Sequence, residues 1–169
     1  MRKKLLSVIF PQNIDGYIDF TNRFNDEIIE PILFAGDSFT ELEVLSYSMR
    51  IASGNYVCVI TKHDKVLDDF FDEFINVAGQ NKDVIVFPTI DVNGDITKYS
   101  IMSPLTIGKK SVIKPIQYFH IVKKRITDVI VFRDNHHLGA LGFYSKKIQG
   151  TTFNEAMITK PLIQRTVGL

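Results

Sequence analysis

Arg50–Asp69, RIASGNYVCVITKHDKVLDD, passes from the end of a helix through a glycine turn into a short strand, then out into a polar loop. Gly54 makes the turn. Tyr56–Ile60 is a compact run of β-branched and apolar residues, the kind that suits a strand covered on both faces. Thr61-Lys62-His63-Asp64 breaks the run. Open α/β sheets bind their ligands beyond the carboxyl ends of central strands. The functional chemistry is therefore expected at this loop.

The residues before this stretch repeat one unit. Leu5–Phe10 reads as a first strand, ended by Pro11-Gln12-Asn13. Ile14, Tyr17, Ile18, Thr21 and Phe24 fall at helical spacing, so a helix is expected over Ile14–Phe24. Ile28–Ala35 reads as a second strand, in which Pro31 suits an edge. Ser38 and Glu41 have the spacing of a capping box. The helix that follows, from about Thr40 to Ala52, turns Leu42, Leu45, Met49 and Ala52 to the core.

After the loop, Asp64 is placed to cap a helix with apolar positions Leu67, Phe70, Phe71, Phe74 and Ala78, closed by Gly79. Asp83–Pro88 is a further strand. Strand and helix in alternation predict a parallel sheet with helices on its faces. The pattern then changes. Asn93-Gly94 signals a hairpin returning through Lys98–Ile101. Pro104 to Lys114 reads as irregular. Pro115 can open a helix over Ile116–Ile126. Val129–Phe132 reads as a buried strand, Leu138–Tyr144 as an apolar strand, and Thr152–Glu155 as a helix start. Met157–Leu169 has no assignment.

The chain has 169 residues, 45% hydrophobic and 23% charged, which fits one domain with a sizeable core. A net charge of +1 gives no bulk attraction to nucleic acid or to an anionic membrane. A single cysteine, Cys58, lies in the apolar strand and reads as a reduced, buried thiol, so a cytoplasmic location is expected. MRKKLLSVIF is superficially like a signal peptide, but Pro11 and Gln12 stop its apolar run and no small-residue cleavage site follows. No run approaches the roughly 18 apolar residues of a membrane span.

Four segments together resemble the nucleotide-sugar-binding part of a GT-A glycosyltransferase of the family-two type. LLSVIFPQN is similar to that family's opening strand, and ILFAGDSFTE to its second strand and acidic turn. ASGNYVCVITKHDKVLDDFFDEF is similar to the strand, Asp-x-Asp loop and helix. LGALGFYSKKIQGTTFNEAM is similar to the later segment leading into a Phe-Asp-Glu-like turn. They occur in the family's order and span most of the chain. The resemblance implies one GT-A-like α/β domain, a mixed and mostly parallel sheet flanked by helices. Residues 1–90 would form the nucleotide-binding half and 91–169 a shortened acceptor-side half.

The resemblance also implies roles. Pro11, Asn13, Asp37 and Lys62 would meet the nucleotide. The family's Asp-x-Asp falls on Thr61-Lys62-His63, with Asp64 next, so both aspartates are replaced. His63 and Asp64 would be the residues left to hold a divalent metal, Mn²⁺ or Mg²⁺, on the donor diphosphate. Lys62 could instead offset phosphate charge without a metal. The other roles open to Asp64 and His63 are helix capping and a solvated loop position. Transfer with inversion needs a base to deprotonate the acceptor hydroxyl. The family's Glu-Asp pair is absent after Phe153-Asn154-Glu155, which leaves Glu155 or His137, in the Asp134-Asn135-His136-His137 cluster, as stand-ins.

The implied function is transfer of a sugar from a nucleotide-diphosphate donor to a hydroxyl on a glycan, lipid-linked or protein acceptor. The alternative is a degenerate GT-A-like nucleotide-binding or interaction module that performs no transfer. A dinucleotide Gly-x-Gly-x-x-Gly turn after the first strand, a phosphate-binding Gly-Lys-Ser/Thr loop and a hydrolase Gly-x-Ser-x-Gly elbow are all missing.

Overall fold

A computed structural model of the chain describes residues 3–102, 106–107, 110–111, 113–132 and 138–166. In order, these form β1 (Leu6–Pro11), α1 (Ile14–Arg23), β2 (Ile29–Phe34), α2 (Glu41–Ile51), β3 (Tyr56–Val59), β4 (Asp64–Val66), α3 (Phe70–Ala78) and β5 (Val84–Val86). There follow β6 (Thr89–Asp91), β7 (Ile96–Ser100), β8 (Thr106–Ile107), β9 (Lys110–Ser111), β10 (Ile113–Pro115), β11 (Ile121–Lys123) and α4 (Lys124–Thr127). The described chain closes with α5 (Gly139–Thr151), β12 (Glu155–Met157) and β13 (Ile163–Arg165).

The main sheet has the order β12-β5-β11-β3-β1-β2. β11 is antiparallel to both its neighbours and the other pairings are parallel, so the remaining strands all run one way. β1 connects to β2 on one side, while β3 leads onward to β5 on the other. The carboxyl ends of β1 and β3 therefore meet at a topological switch point, where an open sheet forms a crevice. A second sheet, β10-β7-β6-β13-β4, packs beyond this end.

The residue types account for these elements. All four residues of β3 are buried, as its unbroken apolar sequence requires. β2 lies at the sheet edge, where Pro31 leaves no interior ladder bond unmade. Gly54 is needed for close approach: a Cβ there would lie 2.6 Å from the Ser7 nitrogen and 2.8 Å from the Leu6 carbonyl carbon. Its own N–H donates to Ser7 Oγ at 2.9 Å, and Ser7 Oγ donates to Glu30 at 2.6 Å, tying β3, β1 and β2 together. The phenylalanines form linked ring contacts, Phe10–Phe20–Phe70–Phe87–Phe119, through the core. Fully burying each such side chain contributes about 1.5–3 kcal/mol. Burial also pushes the Cys58 thiol far above its ordinary range.

Several expectations are corrected. The capping box at α2 uses Thr40 and Glu43 rather than Ser38 and Glu41. Asp64 opens β4 and does not cap a helix; α3 begins at Phe70. The helix expected over Ile116–Ile126 is instead a turn, the strand β11 and the single-turn helix α4. Ile121 and Val122 are β-branched, and two flanking strands complete their hydrogen bonding. Val129–Phe132 is not a buried strand: Val129 and Val131 are 72% and 69% exposed. Leu138–Tyr144 belongs to helix α5, whose Ala140, Tyr144 and Ile148 recur at helical spacing and are buried. Thr152–Glu155 leads into strand β12, and the unassigned tail supplies β13. The Asp134–His137 cluster, including His137, lies outside the described residues, as do residues 104–105, 108–109 and 112; the rest of the segment expected to be irregular forms β8, β9 and the start of β10.

Candidate functional site

A cleft of about 310 Å³ opens at the switch point, lined by Pro11, Gln12, Thr61, Lys62, His63 and Tyr118, with Glu41, Val44 and Leu141 on its helical wall. Pro11 is the last residue of β1 and pairs in register with Phe34. Gln12 follows in a left-handed conformation, φ 54°. Its side-chain amide donates to the Gly36 carbonyl at 2.8 Å and accepts from the Gly36 N–H at 2.9 Å, which joins the exits of β1 and β2. Non-glycine residues held in this region concentrate at functional sites.

The other side of the cleft is the Thr61–Asp64 turn, held by an interior ion pair. Asp64 is buried, and its Oδ2 accepts from the Thr61 N–H at 3.0 Å, the Thr61 hydroxyl at 2.7 Å and the Tyr118 hydroxyl at 3.1 Å. Its Oδ1 accepts from Arg165 Nε at 2.9 Å. Arg165 Nη2 donates to Tyr118 Oη at 2.9 Å, and the guanidinium lies 4.8 Å from the Phe119 ring centre. The neighbouring Thr166 donates its N–H and hydroxyl to the His63 carbonyl at 3.0 and 3.2 Å. β13 therefore braces the loop from beneath. Burial, followed by the charge of Asp64, pushes the Tyr118 hydroxyl far above its ordinary range, so it serves the network as a neutral donor and acceptor.

The residues expected to act together are only partly gathered. Pro11, Lys62 and His63 line the one cleft. Lys62 is exposed and has no ionic or hydrogen-bond partner among the described residues. Asn13 is buried at the start of α1. Its Oδ1 accepts from the Gly16 N–H and its Nδ2 donates to the Ile60 carbonyl, so both polar atoms serve the framework. Asp37 is exposed beyond β2 and is not part of the cleft wall.

Glu155 is placed elsewhere. Its oxygens accept from the Ser100 hydroxyl at 3.0 Å and the Ile101 N–H at 2.9 Å. In the sheet register it lies on the row Glu155–Val84–Val122–Val57. Thr61 is four residues beyond Val57 and three strands away, a separation of roughly 13 Å along the strands and roughly 14 Å across them. Gln12, Tyr118, Leu141 and Arg165 were not singled out from the sequence. Gln12 had a local signal, lying between Pro11 and Asn13; the others reach the site through tertiary pairing.

The resemblance assigns Asp64 and His63 to a divalent cation, and the environment of Asp64 does not fit one. Both Asp64 oxygens are filled by donors, and the facing guanidinium already balances its charge. The Thr61 hydroxyl is spent on Asp64. No three His, Cys, Asp or Glu residues gather at a metal-binding separation among the described residues.

The strand order, the switch-point crevice and the flanking helices define a GT-A-like α/β fold. No family model matches the chain, and no curated protein sequence matches it. Among solved structures it is similar to S. aureus TarS, with a TM-score of 0.66 at 12% identity over 96% of this chain and 37% of that one. It is also similar to S. aureus TarS 1-349 in complex with UDP-GlcNAc, with a TM-score of 0.64 at 11% identity over 98% and 59% of the two chains. A197 from STIV is similar with a TM-score of 0.53 at 8% identity, over 94% and 83%. These are likenesses of fold. The chain spans 37% of the TarS chain and 59% of the UDP-GlcNAc-bound TarS 1-349 chain. No helix among the described residues is long and apolar enough to cross a membrane.

Proposed function

We propose that the cleft binds a nucleotide-diphosphate sugar and that the chain acts as a glycosyltransferase, passing the sugar to a hydroxyl acceptor. The observation that carries this reading is the position of the cleft. It lies between the exits of β1 and β3 on a fold whose solved neighbours include TarS 1-349 bound to UDP-GlcNAc and to UDP. Gln12 and Pro11 form one wall. The Thr61–His63 turn forms the other and presents the exposed Lys62 ammonium, unpaired among the described residues, toward diphosphate oxygens. Tyr118 and Leu141 come from the 91–169 half, so on this reading both halves of the chain build the donor site. In the transfer, the acceptor oxygen attacks the anomeric carbon, its proton passes to a base, and the nucleoside diphosphate leaves with the bonding electron pair.

The placement of Glu155 favours a second reading, a nucleotide-binding module without transfer. The carboxylate expected as base is committed to Ser100 and Ile101. Incubation with UDP-GlcNAc and a panel of glycan and lipid-linked acceptors, with UDP release measured, distinguishes the two. Acceptor-stimulated release that Lys62→Ala abolishes supports the transferase. Binding without release supports the module. Absence of binding by any nucleotide sugar refutes both.

A further inference from the structure

We propose that the cleft takes a nucleoside diphosphate without a divalent cation, with the Lys62 ammonium as its counter-charge. This rests on the donor-binding reading above.

The loop's one carboxylate, Asp64, is turned under the loop, away from solvent. It accepts four hydrogen bonds, one from a guanidinium whose side chain is 8% exposed. Recruiting Asp64 to a cation would leave Arg165 buried beside it with no anion, a strongly unfavourable state. Two other oxygens of the loop are also engaged. The Thr61 hydroxyl donates to Asp64, and the His63 carbonyl accepts twice from Thr166. Glu41, on the opposite wall, accepts from the Leu141 N–H and links α2 to α5.

Lys62 is the charged side chain the turn leaves free. It lines this cleft and also the neighbouring one, which Asp15, Asp19 and Lys65 share, so it stands at the rim between them. An ammonium at this position attracts phosphate oxygens and repels a second cation. Arg165 acts as a positioning residue: by holding Asp64 and Tyr118 it fixes the turn that carries Lys62.

Isothermal titration of UDP into the full chain, once in EDTA and once with Mn²⁺, tests this. The expected result is a Kd that agrees within about twofold between the two buffers and is weakened about tenfold or more by Lys62→Ala in both. Lys62 is exposed, so its replacement leaves the fold intact, and a matching thermal melt checks this. Binding seen only with Mn²⁺ overturns the inference while leaving the donor site in place. Unchanged affinity in Lys62→Ala overturns the role of Lys62. Absence of binding in either buffer overturns the donor-binding reading itself, and this inference with it.

Discussion

Asp64 Oδ1 and Arg165 Nε lie 2.9 Å apart, although 101 residues separate them in the chain. The antiparallel pairing of β4 with β13 sets the two residues directly opposite each other. The pair fastens the end of the described chain beneath the loop that leaves β3, so loop geometry and C-terminal strand pairing become one property.

Breaking this pair from one side should be costly. Arg165→Met leaves a buried carboxylate without its counter-charge, and the expected loss is about 3–5 kcal/mol in urea unfolding. The double variant Asp64→Asn/Arg165→Met should lose less than the sum of the single losses, because the partners share one interaction. A single-variant loss below about 1 kcal/mol would place the pair among weak surface bridges instead.

His120 should make stability depend on pH. It is fully buried, with Nε2 3.1 Å from the Phe87 carbonyl and Nδ1 2.9 Å from the Gln117 nitrogen and 3.2 Å from the Gln117 carbonyl; acceptance of the Gln117 N–H on Nδ1 goes with a neutral imidazole. Burial lowers its pKa from 6.5 to about 3. The unfolded chain then binds the extra proton first, so stability is fully present above about pH 6.5 and falls as pH drops toward 3. The slope from this one group approaches about 1.4 kcal/mol per pH unit. Urea midpoints between pH 7 and 4 should fall more steeply for the wild type than for His120→Gln. Equal slopes would count against a neutral buried imidazole.

Gly54→Ala tests the packing of the turn before β3. The new methyl would meet the backbone of β1 at 2.6 Å, where no flexible side chain can yield. Overpacking of this kind costs roughly 1–3 kcal/mol. Thermal melting should show the loss, while Gly79→Ala, with nothing within 4 Å of the added carbon, serves as the control.

The front of the chain was legible because each of its elements carries its own period. The apolar run of β3, the helical spacing in α1 and α2 and the Asn93-Gly94 turn are local signals, and the structure follows them. The later elements depend on partners that local sequence does not reveal. Ile121 and Val122 form a strand because β3 and β5 leave a gap for an antiparallel insert. The glycines of α5 mask a helix stabilised by packing of Ala140, Tyr144 and Ile148. The same limit applied to the site. Pro11, Lys62 and His63 were reached through the resemblance, helped by their place just beyond apolar strand runs, and they line one cleft. The commitment of Asp64 had no such signal, because Arg165 arrives through β13 from the far end of the described chain.

On the proposed reading, the crevice between the ends of β1 and β3 is a nucleotide-sugar site. Backbone amide NMR spectra recorded during titration with UDP-GlcNAc test it most directly. Saturable shifts are expected at Gln12, Gly36, Lys62, His63 and Tyr118, with the Glu155 and Phe153 amides unmoved. Saturable shifts centred elsewhere, or spectra unchanged at saturating ligand, would contradict it.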